Sequence, residues 1–420
     1  MLDINFIREN LEVVKFGAKK KHIQIDLDKL VDVDDKRREI LGKFEEKKAE
    51  QNKISKEIGQ ASPEEREKLI AGVGALKEEV QKLENELKEV MKEWKTLMMK
   101  VPNIPDISVP EGASDEDNVE VKVWGEKPNF DFQPKSHTDL MLELDLVDFE
   151  RGSKVHGFRG YYLKNDAVRL NFAIWQYALD FWTQKKGFTP MIVPAIVKEE
   201  IMYGTGYLPN EADDIYRTQD DDYLTGTAEV ATMAYYSGEV VDVKDPIKFL
   251  AFSPPFRREA GSYGKDTKGL IRVHEFYKWE QVLLCEASHE LSEKLHEEIT
   301  QNTEEFIESL EIPYHRVVNC GGDLGQGQVK KYDIELWVPG ENKYREIASA
   351  SYFHDFQTRR LGIKYKDENG KLKFAHSLNN TAIPTPRILV SLIENFQTSD
   401  GKIKIPEVLR KYMGGQEFIG

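Results

Sequence analysis

Apolar residues recur in alternating steps of four and three at Leu69, Val73, Leu76, Val80, Leu83, Leu87, Val90, Trp94 and Leu97. That spacing is a heptad seam, which keeps one stripe of a long helix turned toward a partner. A second seam precedes it at Leu30, Val33, Ile40, Phe44, Ile54, Ile58 and Ala61, with Arg37, Lys47 and Gln51 in the remaining positions of the same register. Between the two, Gly59 suits a helix end, Ser62 a helix cap with Glu65 closing a capping box, and Pro63 a first turn. The pattern predicts an antiparallel coiled-coil hairpin over about residues 30–100.

Residues 101–135 break the periodicity. Pro102, Pro105, Pro110, Pro128 and Pro134 stand there among acidic and small residues, the composition of a semi-rigid linker and a domain boundary. Beyond it, helical patterns at 166–186, 287–310 and 387–397 mix with β-rich runs at Lys248–Ser253, Arg272–Cys285, Tyr332–Val338 and Lys343–Ala350. Strand runs that follow one another without an intervening helix predict a mainly antiparallel sheet with helices packed on it. The expected class is α+β, with an N-terminal domain at 1–100, a linker at 101–135 and a catalytic domain at 136–420.

Charge and composition narrow the chemistry. The 74 acidic and 59 basic residues of the 420 give a net charge of −15, which argues against nucleic-acid binding through a uniformly positive surface. From residue 36 to 57 the first helix of the hairpin departs from this balance, with eight basic residues (Lys36, Arg37, Arg38, Lys43, Lys47, Lys48, Lys53, Lys56) against five glutamates, so one flank suits phosphates. Periodicity and charge alone serve a plainer reading better, in which the coil only dimerises or spaces domains. Cys285 and Cys320 are too few for a zinc knuckle or a disulfide framework, and a reducing compartment is expected. Met1–Asn10 lacks a signal-peptide core, and no run approaches the roughly 20 apolar residues of a membrane span. A soluble, cytoplasmic protein is expected.

Common nucleotide and metal signatures fail. Gly261 and Gly264 do not make a phosphate-binding GxxxxGK[ST] loop, and His289-Glu290 has Glu293 where a zinc protease needs histidine. The informative segment is Phe256-Arg257-Arg258-Glu259-Ala260-Gly261, continuing through Lys265, Lys268 and Gly269 to Ile271-Arg272-Val273-His274-Glu275-Phe276. Arg257 and Glu259 are two apart, so a strand would project a cation and a carboxylate from one face into one cavity.

This segment strongly resembles motif 2 of seryl-tRNA synthetases, in which two antiparallel strands flank a mobile loop. Three other stretches resemble the same family in the expected order: Thr225-Gly226-Thr227-Ala228-Glu229; Tyr344-Arg345-Glu346-Ile347-Ala348-Ser349-Ala350-Ser351; and Leu378-Asn379-Asn380-Thr381 through Pro386-Arg387, which is similar to motif 3. Gly187-Phe188-Thr189-Pro190-Met191-Ile192-Val193-Pro194 resembles motif 1, which builds a dimer interface. The family wording differs at Ala348, Ala350 and Tyr352, and at Asn380, Thr381 and Ala382 where the commonest bacterial motif 3 is glycine-rich.

The resemblance implies a serine–tRNA ligase that forms seryl-adenylate from L-serine and ATP and then esterifies the 3′ end of tRNA(Ser), with tRNA(Sec) left open. It implies a homodimer, no membrane partner, Mg2+ and no zinc. ATP would be held by Arg257, Arg258, Glu259, Val273, Phe276, Glu346, Ile347, Ala348, Ser349 and Arg387, with Arg257 and Arg387 catalytic. Serine would be held by Thr227, Ala228, Glu229, Arg257, Glu280, Asn379 and Thr381, and Mg2+ by Glu346 and Ser349. The arm (Lys36, Arg37, Lys43, Lys47) and the motif 2 loop (Lys265, Lys268, beside Arg272) would meet tRNA. Competing readings are a class II-like ligase that loads an amino acid onto a carrier protein, and a non-catalytic RNA-binding paralogue.

Overall fold

The computed structural model describes residues 1–420 apart from Tyr263 and Lys265 and the side chains of residues 63–65 and 67–72. Lys265, Leu69 and the Glu65 half of the expected capping box therefore lie outside the described residues. The chain divides into two compact units, Met1–Ile104 and Pro105–Gly420.

The first unit is a helical hairpin on a small helical base. Helices Ile4–Glu9 and Leu11–Lys20 precede the two long helices Leu27–Gln60 and Pro63–Lys100. Asp26 caps the first long helix by accepting from the Lys29 N–H, and the helix ends one residue past Gly59, with Ala61 extended. The heptad reading is borne out along the seam. Phe44, Lys47, Gln51, Ile54 and Ile58 are half-buried between exposed neighbours, and Leu76, Val80 and Val90 are buried opposite. At the base, Ile7, Val14, Leu27, Leu30, Met98 and Val101 close a separate core.

The second unit is built on an eight-stranded sheet. From one edge the strands are Val119–Trp124, Tyr314–Val318, Lys330–Val338, Lys343–Tyr352, His376–Thr385, Tyr277–Cys285, Ile247–Ser253 and Thr189–Ile192. Every neighbouring pair is antiparallel except the last, where Thr189–Ile192 runs parallel to Ile247–Ser253. The α+β architecture with a mainly antiparallel sheet is as expected. The 101–135 segment is more than a linker: Val119–Trp124 is the sheet's edge strand, paired with Tyr314–Val318. The alternation Val-Glu-Val-Lys-Val-Trp carries that signal in the sequence.

Helices flank the sheet near the predicted positions. Asn165–Asp180 continues as a π-helical turn through Lys185, and His289–Ser309 and Arg387–Asn395 follow. His289–Ser309 is tied to the central strands by buried polar groups. The Gln281 amide donates to the Ile299 carbonyl and to Thr303 Oγ1, and the Asn380 amide donates to the same two acceptors. Buried hydrogen-bonded networks of this kind rigidify the packing, here directly behind Glu280 and Thr381. Among the described residues, no helix is long and apolar enough to cross a membrane.

Candidate active site

Two adjoining cavities open on the central strands and share Arg257, Lys278, Glu346 and Thr381. The first is polar and further lined by Thr227, Glu229, Glu280, Ser349 and Asn379. The second is lined by Glu259, Val273, Phe276, Ile347 and Arg387 with Pro384–Pro386. Seven of the ten residues expected around ATP lie on the second cavity, and six of the seven expected around serine lie on the first.

The strands place these groups by register. Glu280 pairs with Thr381 across the ladder, and Lys278 lies two residues back on the same face. Lys278 Nζ is 2.6 Å from Glu280 Oε2, and Thr381 Oγ1 donates to the same carboxylate at 3.4 Å. Both members of the pair are buried, so each compensates a charge that would otherwise be strongly disfavoured. Glu229 lies in the first turn of the short helix Ala228–Ala234, capped by Thr227. It accepts from Tyr207 Oη at 3.0 Å and from the Gln357 amide, and burial pushes its carboxyl up to about 7.

Glu346 and Ser349 are three apart on one strand, which regular alternation would send to opposite faces. A β-bulge resolves this. Glu346 pairs with Glu335 and Ser349 with Asp333, residues two apart on the neighbouring strand, so the extra residue between them brings Glu346 and Ser349 to one face. Burial raises the Asp333 carboxyl above its usual range against the pull of Lys331, and the Glu346 charge adds to the rise.

Arg257 and Glu259 share the second cavity, although not by strand alternation. The flanking strand ends at Ser253, and only an isolated bridge, Phe256 to Glu275, continues the pairing. Glu259 has φ 56°, a left-handed backbone that turns its carboxylate inward, where Arg272 Nη1 donates to it at 2.6 Å. Arg257 Nε donates to the Gly226 carbonyl, and its guanidinium lies 5.2 Å from the Phe276 ring centre. Arg387 is held by the carbonyls of Ile271 (2.8 Å) and Glu346 (2.9 Å) at the start of its helix, and burial lowers its pKa. The chain leaves the motif 2 loop over a buttress. His137 Nδ1 bonds Glu394 at 2.7 Å, and His137 Nε2 accepts the Leu270 N–H.

Some expected residues stand elsewhere. Arg258, beyond the end of the strand at Ser253, donates to the Asp213 carbonyl and lines neither cavity. Ala348 is buried in the sheet beside the bulge, and Ala228 is buried in its helix. On the arm, Arg37 is a seam residue that donates to Asp34 at 2.8 Å and lies over Trp94, and Lys47 reaches Glu79 across the seam at 3.3 Å. Lys36 and Lys43 are exposed, Lys43 pairing with Glu39. Lys268 is exposed on the motif 2 loop. Sequence reasoning missed Lys278, Tyr207, Gln357 and Asp333, which join the site from separate segments. Lys278 alone had a local signal, standing two residues before Glu280 on a predicted strand.

An antiparallel sheet carrying an Arg-x-Glu turn on one cavity wall and a strand-to-helix arginine on the other defines a class II aminoacyl-tRNA synthetase core. The model of the tRNA synthetase class II core domain (G, H, P, S and T) matches residues 214–396. The model of the seryl-tRNA synthetase N-terminal domain matches residues 1–105. The chain belongs to the seryl-tRNA synthetase family.

Relatives agree over full length. The serine–tRNA ligase of Deinococcus radiodurans is 44% identical over 100% of this chain and 99% of its own, and that of Treponema denticola is 43% identical over 99% of each. Among solved structures, the seryl-tRNA synthetase of Pyrococcus horikoshii complexed with ATP matches at 39% identity and TM-score 0.91, covering 100% of this chain and 99% of that one. The cytoplasmic serine–tRNA ligase of Naegleria fowleri in complex with AMP matches at 34% identity and TM-score 0.87, covering 100% and 98%.

Proposed function

We infer that this chain is a serine–tRNA ligase whose amino acid and nucleotide meet where the two cavities join. The carrying observation is the set of shared walls: Arg257, Lys278, Glu346 and Thr381 border both spaces, so a carboxylate in one lies next to an α-phosphate in the other. Glu229 would take the ammonium of serine, and the hydroxyl would meet the Glu280–Thr381 pair. The nucleotide would lie between Phe276 and Arg387, with Glu259 near the adenine amino group.

The serine carboxylate attacks the α-phosphorus in line, the bond to pyrophosphate breaks, and seryl-adenylate forms. Arg257 and Arg387 are fixed by backbone carbonyls before substrate arrives, so they face the growing phosphate charge with little reorganisation. The hard oxygen donors Glu346 and Ser349, brought to one face by the bulge, suit Mg2+, which would neutralise phosphate charge there. The terminal tRNA hydroxyl then attacks the adenylate carbonyl carbon and AMP leaves.

The first unit is the proposed tRNA-binding domain, with Lys36 and Lys43 on its outer surface, and the second the catalytic domain, at work in the cytoplasm. A homodimer through the motif 1 edge is supported by Ile192, 84% exposed on the edge strand, and by Phe172, 56% exposed. ATP–pyrophosphate exchange with serine, alanine, threonine and glycine tests the reading. Exchange driven by serine far above the other three is expected, and equal or absent exchange overturns it.

A further inference from the structure

Away from the two cavities, Asp106, His289 and Glu293 bring one nitrogen and two carboxylate oxygens within 4.8 Å of one another, a grouping of possible metal donors among the described residues. His289 opens the helix His289–Ser309, and Glu293 lies one turn on, on the same face. His289 Nε2 is 3.4 Å from Asp106 Oδ2 and 3.8 Å from Glu293 Oε2. Donors bound at about 2.1 Å around a tetrahedral ion are separated by about 3.4 Å, so the first distance already fits and the exposed Glu293 side chain needs only a small adjustment.

The surroundings orient these donors. The Asp106 side chain is only 7% exposed, and its Oδ1 accepts from the Ser108 N–H (2.8 Å) and hydroxyl (2.5 Å), which turns Oδ2 toward His289. His289 Nδ1 lies 3.2 Å from His354 Nε2. The tautomer in which Nδ1 donates to His354 leaves the Nε2 lone pair facing two carboxylates. Tyr352 Oη donates to Asp106 Oδ2 at 3.4 Å and the Lys330 charge also favours that carboxylate, and a cation among the three electron-rich atoms would further relieve their repulsion. A second histidine behind a ligating imidazole is the kind of outer contact that fixes ring orientation in metal sites.

We propose that Asp106, His289 and Glu293 form a binding site for a divalent transition ion, Zn2+ in preference to Mg2+, separate from the substrate cavities. Imidazole with two carboxylates suits zinc, whereas magnesium favours oxygen donors alone. Three protein donors leave one position for water. No cysteine takes part, so the cysteine count gives no sign of the site. The proposal does not depend on the reaction assigned above.

The test is Co2+ titration of chelator-stripped full-length protein, followed by visible absorption, with equilibrium dialysis against Zn2+. The wild type should bind one more equivalent than His289→Ala. Glu293→Gln should weaken that equivalent at least tenfold or so, and His354→Ala by about 10–100-fold through lost orientation. His289 and Glu293 are each 45% exposed, so their variants should melt like the wild type. Equal stoichiometry and affinity in the wild type and His289→Ala would overturn the site, and would leave a proton on Nε2 as the cation between the carboxylates. No saturable binding by the wild type would overturn it equally.

Discussion

The hairpin and the sheet unit are stabilised in opposite ways. Beyond the buried Asp34, which Arg8, Arg37 and Arg38 pair near the base, one thin seam carries the hairpin's packing, and its charges pair at the surface or across the seam, as with Lys43–Glu39 and Lys47–Glu79. In the sheet unit, ionisable groups are buried and partnered individually, as with Lys278–Glu280 on one strand beside Thr381 of the next, and Glu229 hydrogen-bonded by Tyr207 and Gln357 from distant segments. A seam tolerates sliding and substitution because each layer repeats the last. A buried pair does not, since removing one partner strands the other. Recognition by shape can be carried by the first kind of structure, whereas in-line chemistry needs the second.

That contrast is broken most severely at Glu280. Glu280→Ala leaves Lys278 buried without its partner and should lower the unfolding free energy by about 3–5 kcal/mol, read as a shifted urea midpoint. Surviving exchange should lose its preference for serine over alanine, because a site built around a substrate hydroxyl discriminates through the acceptor that would otherwise be left unpaired.

Arg387→Ala sharpens the contrast from the side of chemistry. Loss of a preorganised charge should reduce serine-dependent exchange by about 10²–10³-fold, while thermal melting stays close to the wild type.

Glu229 gives a smaller, pH-dependent effect. Its carboxyl is raised to about 7 by burial, so the folded protein holds a proton that the unfolded chain releases near the ordinary glutamate range. Stability from this group is therefore full at low pH and is lost as pH rises from the unfolded value through about 7. Glu229→Gln should remove that slope in unfolding measured from pH 4 to 8. In the wild type the apparent KM for serine should rise as pH falls below about 7, because the neutral acid no longer pairs with the ammonium.

Gly269 tests the buttress. It has φ 81°, and an added Cβ would lie 2.3 Å from His137 Nε2. Gly269→Ala should cost about 1–3 kcal/mol in stability and slow exchange by displacing the loop. The smallest effect is expected on the hairpin: Glu39→Gln, which removes the partner of Lys43, should leave the melting temperature unchanged.

How much of this was legible in the sequence follows from the same contrast. The hairpin repeats every seven residues, so its seam, including the polar Lys47 and Gln51, could be read from spacing alone. In the sheet unit, order and motif could be read but geometry could not. Spacing set Arg257 and Glu259 on one strand face, whereas a left-handed turn at Glu259 brings them together. Spacing would have parted Glu346 from Ser349, and the bulge joins them. Tyr207 on the cavity wall, Gln357 bonded to Glu229 and Asp333 paired with Ser349 carry no local signal, because only the fold brings their segments together. The edge strand at Val119–Trp124 was legible, but the surrounding prolines outweighed its alternation.

In the proposed division of labour, activation belongs to the sheet unit and the hairpin serves only transfer to tRNA. Its most direct test is to shorten the hairpin above the Ile40–Val90 layer, replacing residues 42–88 with a short Gly–Ser turn, and to measure exchange and tRNA charging on one preparation. Exchange within about twofold of the full-length protein, with charging reduced by roughly 100-fold or more for want of phosphate contacts, is the predicted result. Loss of exchange in step with charging, in a protein that still melts cooperatively, would contradict it.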